Sequence, residues 1–141
     1  MAGIQRRKYF SDDYMRRFQE EHEREVGGKV AKGGYPDMGN GRYTIDWTYD
    51  QWMHFNNMQR VHYNYLEHYT AVVVFIIVSI FYHPLAAAIL GFIYALGRLF
   101  YAIGYAKNPN LRSLGAFVLD IAFVGLFILS LVSIGKWLSY D

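Results

Sequence analysis

Polar side chains recur at helical spacing near the middle of the chain. Asn56, Arg60, Asn64 and Glu67 follow one another at intervals of four, four and three residues, which places them on one face of an α-helix. A guanidinium, a carboxylate and two amides on one face are suited to a ligand that carries both charges. The same face is also suited to a salt-bridge network that binds nothing and holds helices together. The spacing leaves both interpretations open.

A second polar row lies further along the chain. Tyr94, Arg98, Tyr101 and Tyr105 also share one helical face, and Arg112 follows a few residues later. Guanidinium groups bind carboxylates through paired hydrogen bonds, so the arginines of the two rows are suited to clamp a carboxylated ligand. We therefore expect a small ligand with anionic and cationic groups.

Long apolar stretches follow both rows. No Pro or Gly interrupts residues 47–82, which predicts one long helix whose second half spans a membrane at about 60–82. Two more spans are predicted at about 85–106 and 114–137, each near the ~20 residues that cross a bilayer. The predicted fold is an all-α integral membrane protein built on a three-span helical bundle, with the lipid bilayer as its surroundings.

The chain before the first span predicts a soluble arm over residues 1–46, followed by a membrane domain over 47–141. Ser11 can cap a helix at about 11–26, and a glycine-rich, irregular linker follows. Met15 and Phe18 lie on one face of that helix. Because an isolated helix of this length is marginal in water, we expect these two residues to contact a partner.

Composition separates the two parts of the chain. Residues 1–60 hold ten of the fourteen Lys and Arg and nine of the twelve Asp and Glu. Because the basic residues are interleaved with nearly as many acids, a nucleic-acid partner is not expected. The sequence has no cysteine, so any thiol chemistry must come from a ligand.

The distribution of basic residues predicts the orientation. With three spans, the arm and the turn at 107–112 share one side of the membrane and carry most of the Lys and Arg. The positive-inside rule places that side in the mitochondrial matrix or the cytosol. We expect the mitochondrial inner membrane, with the endoplasmic reticulum as the alternative.

The run FNNMQRVHYNYLE resembles the signature of the MAPEG family, the membrane proteins of eicosanoid and glutathione metabolism. The stretch YHPLAAAILGFIYALGRLFYAIGYAKNPNLRSLGA is similar to a later segment of the same family, including the arginine that follows it. The resemblance covers roughly residue 35 to the C-terminus. It implies a MAPEG-like four-helix bundle and a homotrimer that holds glutathione between its subunits.

The resemblance also implies roles for individual residues. Arg112 would stabilise the glutathione thiolate in catalysis, with glutathione as co-substrate. The reaction would join glutathione to lipophilic electrophiles or reduce lipid hydroperoxides. The implied glutathione contacts are Arg60, Asn64, Glu67, Arg98, Tyr101 and Tyr105.

Two features depart from the family pattern. Family members have four spans, whereas residues 5–34 here are too polar to cross a bilayer, so we expect a bundle that lacks its first helix. Asp120 lies inside the third predicted span, where it can pair with Arg98, pair with another subunit or stay protonated. We favour a contact between subunits over a catalytic role for this carboxylate.

The sequence is compatible with two functions. The first is an accessory subunit of a larger membrane assembly, specifically a respiratory-chain complex, which retains a glutathione-type site. The alternative is an active glutathione transferase or peroxidase. His62 and His68 are six residues apart and point to different helix faces, so we expect neither metal nor haem.

Overall fold

The computed structural model describes residues 2–139, and these residues form helices and turns without any strand. Three of the helices are long and apolar enough to cross a membrane. Both findings confirm the predicted all-α, three-span fold. The chain divides into two compact units, Met1–His62 and Tyr63–Asp141, which are described separately.

The first unit is built from short helices. None of the three helices before Tyr49 exceeds eight residues, or about 12 Å, which is less than half of a bilayer core. A long helix, α4 (Tyr49–Ile80), begins in this unit and ends in the second one. The short elements are α1 (Ala2–Tyr9), α2 (Asp12–Arg16), α3 (Gln19–Glu25) and 3-10 turns at Lys32–Gly34 and Arg42–Thr44.

The prediction of one helix at about 11–26 is wrong, because the chain breaks between α2 and α3. Ser11 caps α2 by accepting a hydrogen bond from the backbone N–H of Tyr14 at 3.3 Å. At Phe18 the backbone has φ −101° and ψ −1°, which interrupts the helix. Met15 and Phe18, 2% and 9% exposed, both lie in the core of the unit.

The core of the first unit is aromatic. Phe10 and Phe55 are each 1% exposed, and their rings meet edge to face at 5.3 Å. Trp47 lies 4.9 Å from the ring of Phe10. Met15 and Phe18 belong to this same cluster. We expected these two residues to contact a partner, and the structure corrects that expectation because they pack inside their own unit.

A buried carboxylate organises the glycine-rich segment. Asp37 accepts hydrogen bonds from the backbone N–H groups of Gly39, Gly41 and Tyr43 at 2.8–2.9 Å. Gly39 has φ +101°, and a Cβ there would lie 2.6 Å from the ring of Phe55. The segment predicted as an irregular linker is thus a defined loop, fixed to the aromatic core.

The second unit contains the end of α4 and two further long helices. These are α5 (Pro84–Lys107) and α6 (Arg112–Leu138), joined by a 3-10 turn at Pro109–Leu111. Pro84 occupies the first turn of α5, where its missing N–H costs no hydrogen bond. The helix ends lie close to the bounds that hydropathy predicts.

Glycines bring the backbones of α5 and α6 into contact. A Cβ on Gly97 would lie 2.7 Å from the backbone nitrogen of Leu119. A Cβ on Gly115 would collide with the backbone of Tyr101. Small residues at such crossings allow the close packing that holds helices together in lipid, where no hydrophobic driving force acts between them.

We predict that Gly115→Ala destabilises the second unit by ~1–3 kcal/mol, because the added methyl group has no space against α5. Thermal unfolding of the purified protein in detergent measures the change. The matched control is Gly135→Ala on the same helix, where nothing lies within 4 Å of the new Cβ. Equal melting temperatures for the two variants would show that the helices do not meet at Gly115.

Candidate functional site

A charged cleft of about 290 Å³ lies within the second unit. All three helices of the unit contribute to it. Its lining residues are Asn64, Glu67 and His68 from α4, Arg98 and Tyr101 from α5, and Arg112, Ala116, Leu119 and Asp120 from α6. Four of the six glutathione contacts that the resemblance implies therefore line one cleft, namely Asn64, Glu67, Arg98 and Tyr101, together with Arg112, the predicted catalytic residue.

A hydrogen bond joins α4 to α5 inside the charged cleft. The side-chain amide of Asn64 donates to the hydroxyl of Tyr101. Tyr101 is 6% exposed, so this polar contact is shielded. The bond fixes the tyrosine ring and leaves the amide oxygen of Asn64 available as an acceptor.

Arg98 lies among aromatic rings. Its guanidinium carbon is 5.2 Å from the ring centre of Tyr65 and 5.5 Å from that of Tyr101. Contacts of this kind hold a cation over the electron-rich faces of the rings. They position the guanidinium without using its five N–H donors, which remain able to bind a carboxylate.

Arg112 is placed by a tyrosine of the preceding helix. Its guanidinium donates to the Tyr105 hydroxyl at 3.0 Å, and the guanidinium carbon lies 5.0 Å from the same ring. The Tyr105 ring in turn lies 5.6 Å from that of Tyr101. Tyr105 thus acts through Arg112 rather than by lining the cleft.

The charges of the cleft are not neutralised by one another. The structure has four ion pairs among residues 2–139, and every one lies in the first unit. Glu67, Arg98, Arg112 and Asp120 therefore form no ion pair within the described part of the chain. This argues against an internal salt-bridge network. It also argues against the pairing of Asp120 with Arg98 that the sequence left open.

The other polar residues of the two rows lie elsewhere. Asn56 belongs to the first unit, where its amide donates to the backbone oxygens of Gly39 and Trp52. Arg60 is an exposed residue of the first unit, one helical turn before Asn64. Tyr94 is buried, and its hydroxyl has no hydrogen-bond partner among the described residues.

His68 is the residue that sequence reasoning missed. It lines the cleft, its ring stacks on Phe123 at 4.9 Å, and its buried Nδ1 has no partner among residues 2–139. His68 comes four residues after Asn64, so helical spacing could have found it. No group of three or more His, Cys, Asp or Glu side chains that could hold a metal ion occurs among the described residues.

We predict that Asn64 and Tyr101 are energetically coupled. In a double-mutant cycle with Asn64→Ala and Tyr101→Phe, the interaction energy should be about 0.5–1.5 kcal/mol, because each variant removes one partner of the same hydrogen bond. Thermal unfolding in detergent provides the four stabilities. A parallel cycle with exposed Tyr69 in place of Tyr101 should show no coupling, and additive effects in both cycles would contradict the bond.

The sequence of the chain matches one known protein family. The model of the MAPEG family matches residues 26–132, which is most of the 141-residue chain. No solved structure matches the chain. The match confirms the family indicated by the two sequence stretches, and it covers α4, α5 and α6 as far as residue 132, which includes every residue that lines the charged cleft. The chain belongs to the MAPEG family.

Proposed function

We propose that the chain binds glutathione in the charged cleft and that Arg112 stabilises the glutathione thiolate. The observation that carries this proposal is the set of four charged side chains in one cleft with no ion pair among them. Glutathione carries two carboxylates, an ammonium group and a thiol. A site with charges of both signs complements such a ligand, whereas a purely anionic ligand would meet repulsion.

Each lining residue has a chemical role in this proposal. Arg98 binds a ligand carboxylate, and Glu67 or Asp120 binds the ammonium group. A free thiol has a pKa of about 8.5, and a neighbouring cation lowers it because the charge favours the thiolate. The chain itself has no cysteine, so the ligand supplies the only thiol.

The size of the cleft supports a site completed by a neighbouring subunit. Its volume of about 290 Å³ is at the lower end of the range for small-ligand pockets. Part of a tripeptide therefore fits, and the remainder needs further walls. We propose that the chain is related to microsomal glutathione transferase type three and forms a trimer of the family type. In that trimer a second subunit supplies the remaining walls of the site.

The reaction that follows from this site is conjugation to a lipophilic electrophile. The thiolate attacks an electrophilic carbon, a C–S bond forms, and the displaced group leaves with the bonding electrons. The membrane-spanning helices support access for electrophiles that dissolve in the bilayer. Chemically, Arg112 contributes by raising the fraction of thiolate at neutral pH.

We predict that bound glutathione has a thiol pKa at least about one unit below the ~8.5 of a free thiol. Ultraviolet thiolate absorbance, measured against pH with saturating glutathione, reports this pKa. Arg112→Ala should return the value to that of free glutathione. The control Lys107→Ala removes an exposed cation that does not line the cleft and should leave the value unchanged.

Calorimetric titration separates binding from activation. If glutathione binds and Arg112→Ala leaves the pKa unaltered, the role of Arg112 is wrong while the site stands. If wild-type protein in its trimeric form takes up no glutathione, the whole proposal fails.

A second candidate, an accessory subunit of a larger membrane assembly, is favoured by the first unit. Its short helices form a folded module with an aromatic core, and large apolar side chains project from its surface. Ile4 is 71% exposed and Ile45 is 69% exposed. A folded module of this kind, in place of a first span, supports attachment to other subunits.

The host that we propose is a respiratory-chain complex of the mitochondrial inner membrane, with the arm on the matrix side. Asp120 supports contact with another subunit of a complex. Its carboxylate is exposed on a membrane-spanning helix, which is costly in lipid unless another subunit contacts it. Residence in the endoplasmic reticulum as a free trimer is the alternative. Organelle fractionation shows whether the chain is found with mitochondria or with the endoplasmic reticulum.

We predict that Ile4→Glu and Ile45→Glu together release the chain from a high-mass complex on native gels of solubilised membranes. A charge placed in a buried apolar contact weakens association strongly. The control is Asn40→Glu, another exposed site of the first unit. Migration of the wild-type chain only at the mass of a homotrimer would contradict the accessory role.

A further inference from the structure

A second cavity, of about 590 Å³, lies entirely within the first unit beside α1 and the 3-10 turn at Lys32–Gly34. We call it the Arg6 cavity. Three cationic side chains line it, namely Arg6, Arg7 and Lys32, and Asp12 is the one acidic residue among its lining residues. The lining thus has a net charge of +2, from three positive and one negative side chain.

Arg6 is buried and has no ion-pair partner among residues 2–139. Arg6 is only 6% exposed, yet its guanidinium belongs to none of the ion pairs found in the described part of the chain. The guanidinium donates to the backbone oxygens of Gly33 at 2.8 Å and Asp37 at 2.6 Å. The ring of Tyr35 covers it at 4.1 Å. These partner atoms orient the cation and are uncharged, and the carboxylate of Asp37 itself accepts from the backbone N–H groups of Gly39, Gly41 and Tyr43.

A buried charge of this kind is costly unless an opposite charge compensates it. Among the described residues that line the Arg6 cavity, Asp12 is the only acidic one and it forms no ion pair with Arg6, so an anion bound in the cavity would add compensating charge. Arg7 and Lys32 are exposed and form no ion pair within residues 2–139 either. Two exposed cations and one buried cation in the same lining are suited to an oxyanion with several acceptor oxygens.

We infer that the Arg6 cavity binds the phosphate group of a phosphate ester. The volume lies within the range of small-ligand pockets, so it accommodates a phosphate together with part of its organic substituent. Arg6 supplies the fixed charge, and Arg7 and Lys32 close on the phosphate oxygens. The ligand is either the headgroup of an anionic phospholipid or a soluble phosphate ester. This inference concerns the first unit and is independent of the glutathione proposal.

Calorimetric titration of the full chain in neutral detergent with glycerol 3-phosphate tests the shared chemistry. Ionic strength is held constant because salt screens exposed charges. Arg7→Ala and Lys32→Ala should each weaken binding about fivefold, the usual effect of one cation near a phosphate. Lys8→Ala and Lys29→Ala remove exposed cations that do not line the cavity and should change the affinity less than about twofold.

A second experiment, with lipid, identifies whether the phosphate belongs to a lipid headgroup or to a soluble ester. The same variants are placed in nanodiscs of phosphatidylcholine with or without phosphatidic acid, and retained lipid is counted by native mass spectrometry. Retention of phosphatidic acid that Arg7→Ala and Lys32→Ala each reduce, and that the Lys8 and Lys29 variants do not, supports a lipid headgroup. Binding of glycerol 3-phosphate without lipid retention supports a soluble ester.

Two outcomes overturn the inference. One is the absence of binding in both arms. The other is equal weakening by the cavity variants and the Lys8 and Lys29 controls, which would indicate a diffuse basic surface. Circular dichroism of each variant confirms that the helices persist, and Lys32→Gln serves as a second probe of the exposed rim if Lys32→Ala unfolds.

Discussion

The close contact between the α5 and α6 backbones determines the geometry of the charged cleft. At Gly97 and Gly115 the helices touch with no side chain between them. Arg98 follows Gly97 directly, and Tyr101 meets Gly115 across the contact. Backbone packing therefore fixes the positions from which the Arg98 side chain of α5 and the charged side chains of α6 extend into the cleft. A site built on such rigid elements keeps its charges in place without pairing them.

The two units use charge in different ways. In the first unit, ion pairs such as Arg42–Glu21 at 2.7 Å lie on the surface, where they contribute little to stability. The stability of that unit comes instead from the aromatic core around Phe10 and Phe55. In the second unit the exposed surface is largely apolar, and four of the six charged side chains among its described residues line one cleft, Lys107 and Lys136 being the other two. Charge there is concentrated where a ligand can use it.

Local periodicity made the long helices and both polar rows predictable, since residues three and four apart share a face in any helix. Contacts between helices could not be read in the same way. The bonds from Asn64 to Tyr101 and from Arg112 to Tyr105 depend on how the helices cross. The partner contact predicted for Met15 and Phe18 was wrong for a related reason. Their core partner Phe55 is distant in sequence, so their apolar face suggested another protein rather than a core within the same unit.

For the glutathione site that we propose, the hydrogen bonds already present in the cleft would determine which ligands are preferred. Tyr101 accepts from Asn64, and Tyr105 accepts from Arg112, before any ligand arrives. A ligand that uses these groups exchanges one hydrogen bond for another, and such an exchange yields little net free energy. The gain must come from the opposite charges that the ligand brings. Neutral peptides of the same shape would compete poorly, so discrimination rests on ionic character rather than on the number of polar contacts.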